Sequence, residues 1–120
     1  MQLLREAEDR LLRVGALAIA HSFVVDNGDA NTYNGGVAYF DGSSSTAGFH
    51  FSSSNTTFEG NRAQLGGVYW LRKYDAAEAS AASSGDRFYN NVATSYGGVL
   101  YADYGGQLNA SNSIFRGNSA

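Results

Sequence analysis

The 120-residue chain contains no cysteine and no proline. Without cysteine there is no disulfide framework and no thiolate metal site, although such a chain is compatible with either side of a membrane. Without proline, its turns have to be made by glycine, asparagine and serine. Charge is scarce as well, at 16% of residues against about a quarter in a typical domain. The 8 lysines and arginines and the formal net charge of −3 leave no clustered basic face, which argues against nucleic acid as a partner. No segment approaches the run of about 18 apolar residues that a membrane-spanning helix requires. What the chain has instead is glycine, with 15 residues, and aromatic side chains, with 8 Tyr, 7 Phe and 1 Trp. Together with Ser, Asn and Thr these compose a surface of turns and sheet faces.

The glycines are ordered. Gly-Gly-Val stands at Gly35-Gly36-Val37, Gly66-Gly67-Val68 and Gly97-Gly98-Val99, each copy 31 residues after the last. A second element, Phe-x-x-Asn-x-Ala, recurs in step with it: Phe58 to Ala63, Phe88 to Ala93 and Phe115 to Ala120. A degenerate first copy runs through Val24-Val25-Asp26-Asn27, with Ala30 one residue late. The chain stops where another Gly-Gly-Val is due, as a fragment of a longer array would. A fixed period of this size marks a stacked repeat, in which each unit buries its apolar face against its neighbours.

Within one period the β-prone runs are 37–40, 49–53 and 56–59, with turns at 41–48, 54–55 and 60–65. Three short strands per period describe an all-β, three-sided parallel β-helix of about three coils over residues 21–120. Residues 75–82, rich in alanine, read as a loop or helical turn bulging from the coil. Before the repeats, residues 2–13 combine helix formers with apolar positions at Leu4, Ala7, Leu11 and Val14. This predicts a short amphipathic helix that caps the N-terminal end of the stack, within a segment 1–20. Residues 14–20 end in an Ala-x-Ala site like that of a signal peptide, but they are short for a signal core and follow Glu6, Glu8 and Asp9.

Stacking coils of equal path puts recurring residues above one another, about 4.8 Å apart. Asn61, Asn91 and Asn118 are expected to form an internal asparagine ladder at one corner. Phe58, Phe88 and Phe115 should stack inside as a ring ladder, while Gly36, Gly67 and Gly98 allow close approach of neighbouring coils at the next bend. All three sets are structural devices that a repeat needs whatever its function.

Paired boxes of this kind, here FEGN, FYNN, FRGN and the three GGV, resemble the FxxN and GGA(I/L/V) boxes of the polymorphic outer-membrane protein repeat, known from chlamydial surface autotransporters. The resemblance covers roughly residues 23–120, with Val where the family usually carries Ala. It implies a right-handed parallel β-helix of the pectin-lyase-like kind, displayed at a surface and used in adhesion.

Two further columns are candidate sites. Asp41, Arg72 and Asp103 each lie five residues beyond the second glycine of a pair, so they should form a vertical column of alternating charge. β-Helix polysaccharide lyases and hydrolases also place carboxylates and a basic residue on one sheet, but here only two acids and one arginine line up. Tyr39, Trp70 and Tyr101 lie three beyond the same glycine. Both faces of this strand are apolar, and the uniform valines favour the Val and aromatic set as core; facing outward, the rings would make a platform suited to flat sugar faces. His21 and His50 have no partner at metal-ligand spacing. Asn55-Thr56-Thr57 and Asn109-Ala110-Ser111 match the glycan acceptor pattern, as Ser/Asn-rich sequences often do by chance.

The expectation is a non-catalytic, extracellular or cell-surface repeat segment, at the outer membrane if the source is bacterial. It would act in adhesion or ligand display toward host or cell-surface proteins or glycans, with no cofactor, no metal and no transmembrane segment. The alternative is a fragment of a carbohydrate-active β-helix enzyme.

Overall fold

A computed structural model of the protein describes residues 16–41, 49–72 and 79–120. These residues are all β. The strands are β1 (Ala16–Ala20), β2 (Phe23–Val25), β3 (Ala38–Asp41), β4 (Phe49–Ser54), β5 (Thr57–Glu59), β6 (Arg62–Leu65), β7 (Tyr69–Arg72), β8 (Ala79–Ser84), β9 (Arg87–Tyr89), β10 (Val92–Tyr96), β11 (Leu100–Asp103), β12 (Gln107–Ser111) and β13 (Ile114–Arg116). They assemble into four parallel sheets, in the orders β1-β4-β8-β12, β2-β5-β9-β13, β3-β7-β11 and β6-β10. Every neighbour in a sheet therefore comes from a different repeat, as it must when each coil of chain is laid on the one before. The architecture is a stack of β-helix coils.

A complete coil carries four short strands rather than three. Residues 62–65, read from sequence as a turn, form β6, which pairs in parallel with β10 through Arg62↔Val92 and Ala63↔Ala93. Gly60 punctuates the sequence there, but a neighbouring coil supplies ladder partners that local propensity does not register. The same override acts on β8. Alanines 79, 81 and 82, expected in a loop or helical turn, lie in a central strand paired with β4 on one side and β12 on the other. Their small side chains suit the place: Ala79 and Ala81 are buried opposite the large Phe49 and Phe51.

The predicted capping helix, 2–13, lies outside the described residues. Residues 16–20, assigned with it to an N-terminal segment, are instead strand β1, in register with β4 from Ala16↔His50 to Ala20↔Ser54. The stack thus begins by residue 16. Its apolar content, Leu17 and Ile19, packs against the core, which is where an alternating Leu-Ala-Ile pattern belongs in a half-buried strand. No helix among the described residues is long and apolar enough to cross a membrane.

The core is a narrow column of side chains from all coils: Val37, Phe40, Phe49, Phe51, Phe58, Val68, Tyr69, Leu71, Phe88 and their neighbours. Two of its walls meet at the Gly-Gly-Val corner, and the chain path there corrects the sequence expectation of which face is inside. Val68 precedes β7, and its carbonyl accepts hydrogen bonds from both Val37 N and Ala38 N at 3.0 Å. The chain bends at the valine, so Val68 and the next residue, Tyr69, both point inward. Alternation then runs from Tyr69: Tyr69 and Leu71 are core, as are Ala38 and Phe40 one coil away, while Tyr39 and Trp70 take the opposite face. The valines are core, but the aromatic residues two further on are not part of it.

Candidate functional site

The recurring residues of the repeat stack in columns. Asn27, Asn61, Asn91 and Asn118 form a continuous ladder. The backbone N–H of Asn61 and its Nδ2 both donate to Asn91 Oδ1, at 3.0 and 2.9 Å, and Asn91 repeats the pattern on Asn118 Oδ1 at 3.0 and 2.9 Å. Asn27 does the same to Asn61, at 3.1 and 3.0 Å, so the copy that looked degenerate in sequence is a full rung. The second Nδ2 proton ties each amide to the coil before: Asn61 to Val24 O, Asn91 to Phe58 O and Asn118 to Phe88 O. Asn61 and Asn91 are both 0% exposed. Their polar atoms are fully engaged, which is the condition for burying an amide without loss.

Beside them Phe58, Phe88 and Phe115 stack nearly parallel, with centroids 4.9 Å and 4.6 Å apart and interplanar angles of 4° and 7°; Phe58 and Phe88 are buried, but Phe115, expected inside, is 47% exposed. At the glycine corner Gly36 N donates to Gly66 O and Gly67 N to Gly97 O, so the pairs lie along one edge. The two glycines of a pair do different work. Gly66 has φ +68°, a region that L side chains avoid, whereas a Cβ on Gly67 would lie 2.1 Å from Gly98 O of the next coil. A Cβ on Gly36 would meet Gly67 O at 2.2 Å, and one on Gly98 the Ser119 backbone at 2.7 Å.

A further polar column escapes the sequence reading. Ser22, Thr56, Asp86 and Ser113 each stand two residues before the Val or Phe of the ring ladder, and that fixed offset is the signal that identifies them. Each backbone N–H donates to the side-chain oxygen one coil on: Ser22 N to Thr56 Oγ1, Thr56 N to Asp86 Oδ1 at 2.8 Å, and Asp86 N to Ser113 Oγ at 3.2 Å. Asp86 is fully buried and its Oδ2 accepts from the Ser53 and Ser83 hydroxyls. Tyr69 lies close by with its hydroxyl buried and without a hydrogen-bond partner. Burial pushes that phenol far above its ordinary range; the Ser53 hydroxyl, near it but donating its own proton to Asp86 and not in hydrogen-bond geometry with the phenol, eases the shift only in part, and the Asp86 charge adds to it.

The sheet β3-β7-β11 carries the remaining sequence candidates. Asp41, Arg72 and Asp103 are in backbone register on adjacent strands. Arg72 is paired with Asp103, Nη2 to Oδ2 at 3.0 Å and Nε to the same oxygen at 3.2 Å. Its guanidinium also lies 4.6 Å from the centroid of Trp70 and 5.8 Å from that of Tyr104. Tyr39, Trp70 and Tyr101 are in register too, with Tyr39 and Trp70 tilted at 4.7 Å and Trp70 and Tyr101 near-parallel at 6.3 Å. They do not make a platform of three open rings, because Trp70 is only 3% exposed. Open rings lie beside it: Tyr101 is half-buried, Tyr96 sits 6.3 Å away from it, and Tyr96 and Tyr104 are 65% and 63% exposed. This set of three tyrosines around a guanidinium–carboxylate pair is the candidate site. It can stack flat apolar faces and offer donors and acceptors at their rims.

Among the described residues no three His, Cys, Asp or Glu side chains gather where they could hold a metal ion. His50 Nδ1 meets Ser80 Oγ at 2.8 Å on an outward face, and His21 occupies a turn with φ +50°.

Residues 87–103 match the Chlamydia polymorphic membrane protein (Chlamydia_PMP) repeat. The matched stretch runs from β9 through β10 and the third Gly-Gly-Val to the end of β11, and so takes in Phe88, Asn91 and Asp103. No curated protein and no solved structure matches the chain.

Proposed function

We propose that this chain is a non-catalytic segment of a surface-displayed parallel β-helix, right-handed and pectin-lyase-like, that works in adhesion or ligand display at a bacterial outer membrane. The observation that carries this reading is where the repeat's own residues lie. In the repeat matched at 87–103 the defining Phe88 and Asn91 are fully buried and the Gly97-Gly98 pair is taken up by backbone packing between coils, so these residues build the stack and leave the outward positions free to differ from coil to coil. A scaffold whose constant residues are buried and whose variable residues face water is suited to presenting a recognition surface. Adhesion belongs on those outward residues and not on the FxxN and GGV boxes.

The enzyme reading has less to stand on. On the outward face Arg72 is engaged by Asp103 and Trp70, and acid–base cleavage of a polysaccharide calls for a base held ready for a substrate proton. Beads coated with the purified chain should adhere to cultured epithelial cells several-fold better than albumin-coated beads, and soluble chain should compete. Equal adherence of both bead types would refute the proposal. Incubation with polygalacturonate or alginate should release no unsaturated sugar; release that vanishes in Arg72→Ala would establish the lyase instead.

A further inference from the structure

We infer that the tyrosine cluster on the outward face of β11 is a binding site for an uncharged, flat-faced oligosaccharide of β-linked hexopyranoses. The inference deepens the adhesion reading by naming the ligand class, and rests on it only for the biological setting. Three observations carry it.

The first is shape. Tyr96, Tyr101 and Tyr104 come from the end of β10, the middle of β11 and the turn just after it. Tyr101 is flanked by Tyr96 at 6.3 Å, inclined by 37°, and Tyr104 lies across the Arg72 guanidinium. A pyranose with equatorial hydroxyls has two faces of C–H groups and a rim of hydroxyls. Aromatic faces attract the partly positive C–H groups, while phenol hydroxyls reach the rim. Rigid tyrosines supply such contact at little cost in side-chain freedom.

The second is support from below. Trp70 is buried, near-parallel to Tyr101, and lies under the Arg72 guanidinium. Arg72 is thus fixed by Trp70 on one side and Asp103 on the other, and presents a set donor–acceptor pair next to the open rings. A binding site held by packed residues keeps its geometry before the ligand arrives.

The third is charge. The chain carries a net charge of −3, and among the described residues of the cluster the Arg72 guanidinium is matched by the Asp103 carboxylate at 3.0 Å. A sulfated or uronic-acid polymer would meet an acidic protein whose Arg72 is already paired, so the field disfavours it. A neutral sugar loses nothing to that field.

The test is saturation-transfer NMR on the full chain with cellohexaose and chitohexaose, and with a heparin hexasaccharide as the charged comparison. We expect saturation of pyranose C–H protons for a neutral oligomer and none for heparin. Tyr101→Ala and Tyr104→Ala should each raise the neutral Kd at least tenfold, Tyr101→Phe less than threefold, and Tyr89→Ala, on a different sheet, not at all. Tyr104 is largely exposed, so its replacement leaves the fold intact and keeps the test sharp if Tyr101→Ala unfolds. Absence of binding by both neutral oligomers, preference for heparin, or indifference to both alanine variants would overturn the inference. Bead adhesion that persists in Tyr104→Ala while neutral sugars fail to bind would sink the glycan site alone and leave the adhesion reading standing.

Discussion

Asn91 shows why one residue type recurs in this chain. Its Oδ1 takes two protons from Asn61, and its Nδ2 gives one to Phe58 O and one to Asn118 Oδ1. Only an amide carries both an acceptor with two lone pairs and two donors on one short side chain. Asn91→Ala should therefore destabilise the chain by about 3 kcal/mol, since several buried groups lose partners at once. Asn91→Asp should be at least as damaging at neutral pH, because a carboxylate would face the Phe58 carbonyl and Asn118 Oδ1 without protons to offer. Urea melts of both variants check this. Tyr69 is the opposite case, a buried hydroxyl with no hydrogen bond. Tyr69→Phe should leave stability unchanged or raise it by about 1 kcal/mol. The raised Tyr69 pKa also has a sign. The folded chain holds the phenol proton where the unfolded chain releases it, so stability is retained below the ordinary tyrosine value of about 10 and declines as pH rises beyond it. Melting temperatures from pH 8 to 11 should fall more steeply for the parent chain than for Tyr69→Phe.

At the scale of the element, what could be read from sequence was the register across coils, and what could not was the path within one. The Gly-Gly-Val interval of 31 residues leads to the pairs Tyr39↔Trp70↔Tyr101 and Asp41↔Arg72↔Asp103, because nothing is inserted between each glycine pair and the strand that follows. The ring and asparagine columns recur at unequal steps: Phe58 to Phe88 spans 30 residues and Phe88 to Phe115 spans 27, since connections outside the strands absorb the difference. Strand β6 was hidden because Arg62-Ala63-Gln64-Leu65 follows a glycine and has little β-propensity of its own. The inner face of β7 is not legible because both of its faces are apolar and the chain bends at Val68, so a core valine does not bring Trp70, two residues on, to the same side. No local rule reveals such a bend, as a one-residue shift exchanges the two faces of a strand. Side-chain pairing across these strands is modest in energy. Arg72 and Asp103 are each 28% exposed, so Arg72→Ala should cost less than about 1 kcal/mol. Arg72→Asp should cost more, because it puts like charges in adjacent strands, and high salt should narrow the gap between the two variants. Gly67→Ala, which drives a Cβ into Gly98 O, should cost more than either and resist salt.

The whole molecule is a stack whose sheets run across coils, and its polar columns share one polarity. From Asn27 to Asn118, and again from Ser22 to Ser113, each backbone N–H points to a side-chain oxygen on the following coil. Stacking in the opposite sense, or pairing of strands adjacent in sequence, would leave these donors without acceptors in the interior. Parallel, in-register stacking of successive repeats is thus the premise on which the buried ladders and the outward tyrosine site both depend. The most direct test is a nuclear Overhauser map of the labelled chain in solution. Phe88 should show ring contacts to both Phe58 and Phe115, with backbone contacts between β5, β9 and β13 in the pattern of parallel strands. Close Hα–Hα contacts between strands consecutive in sequence, such as β8 and β9, with no contact between the Phe58 and Phe88 rings, would mean antiparallel hairpins and would contradict the account.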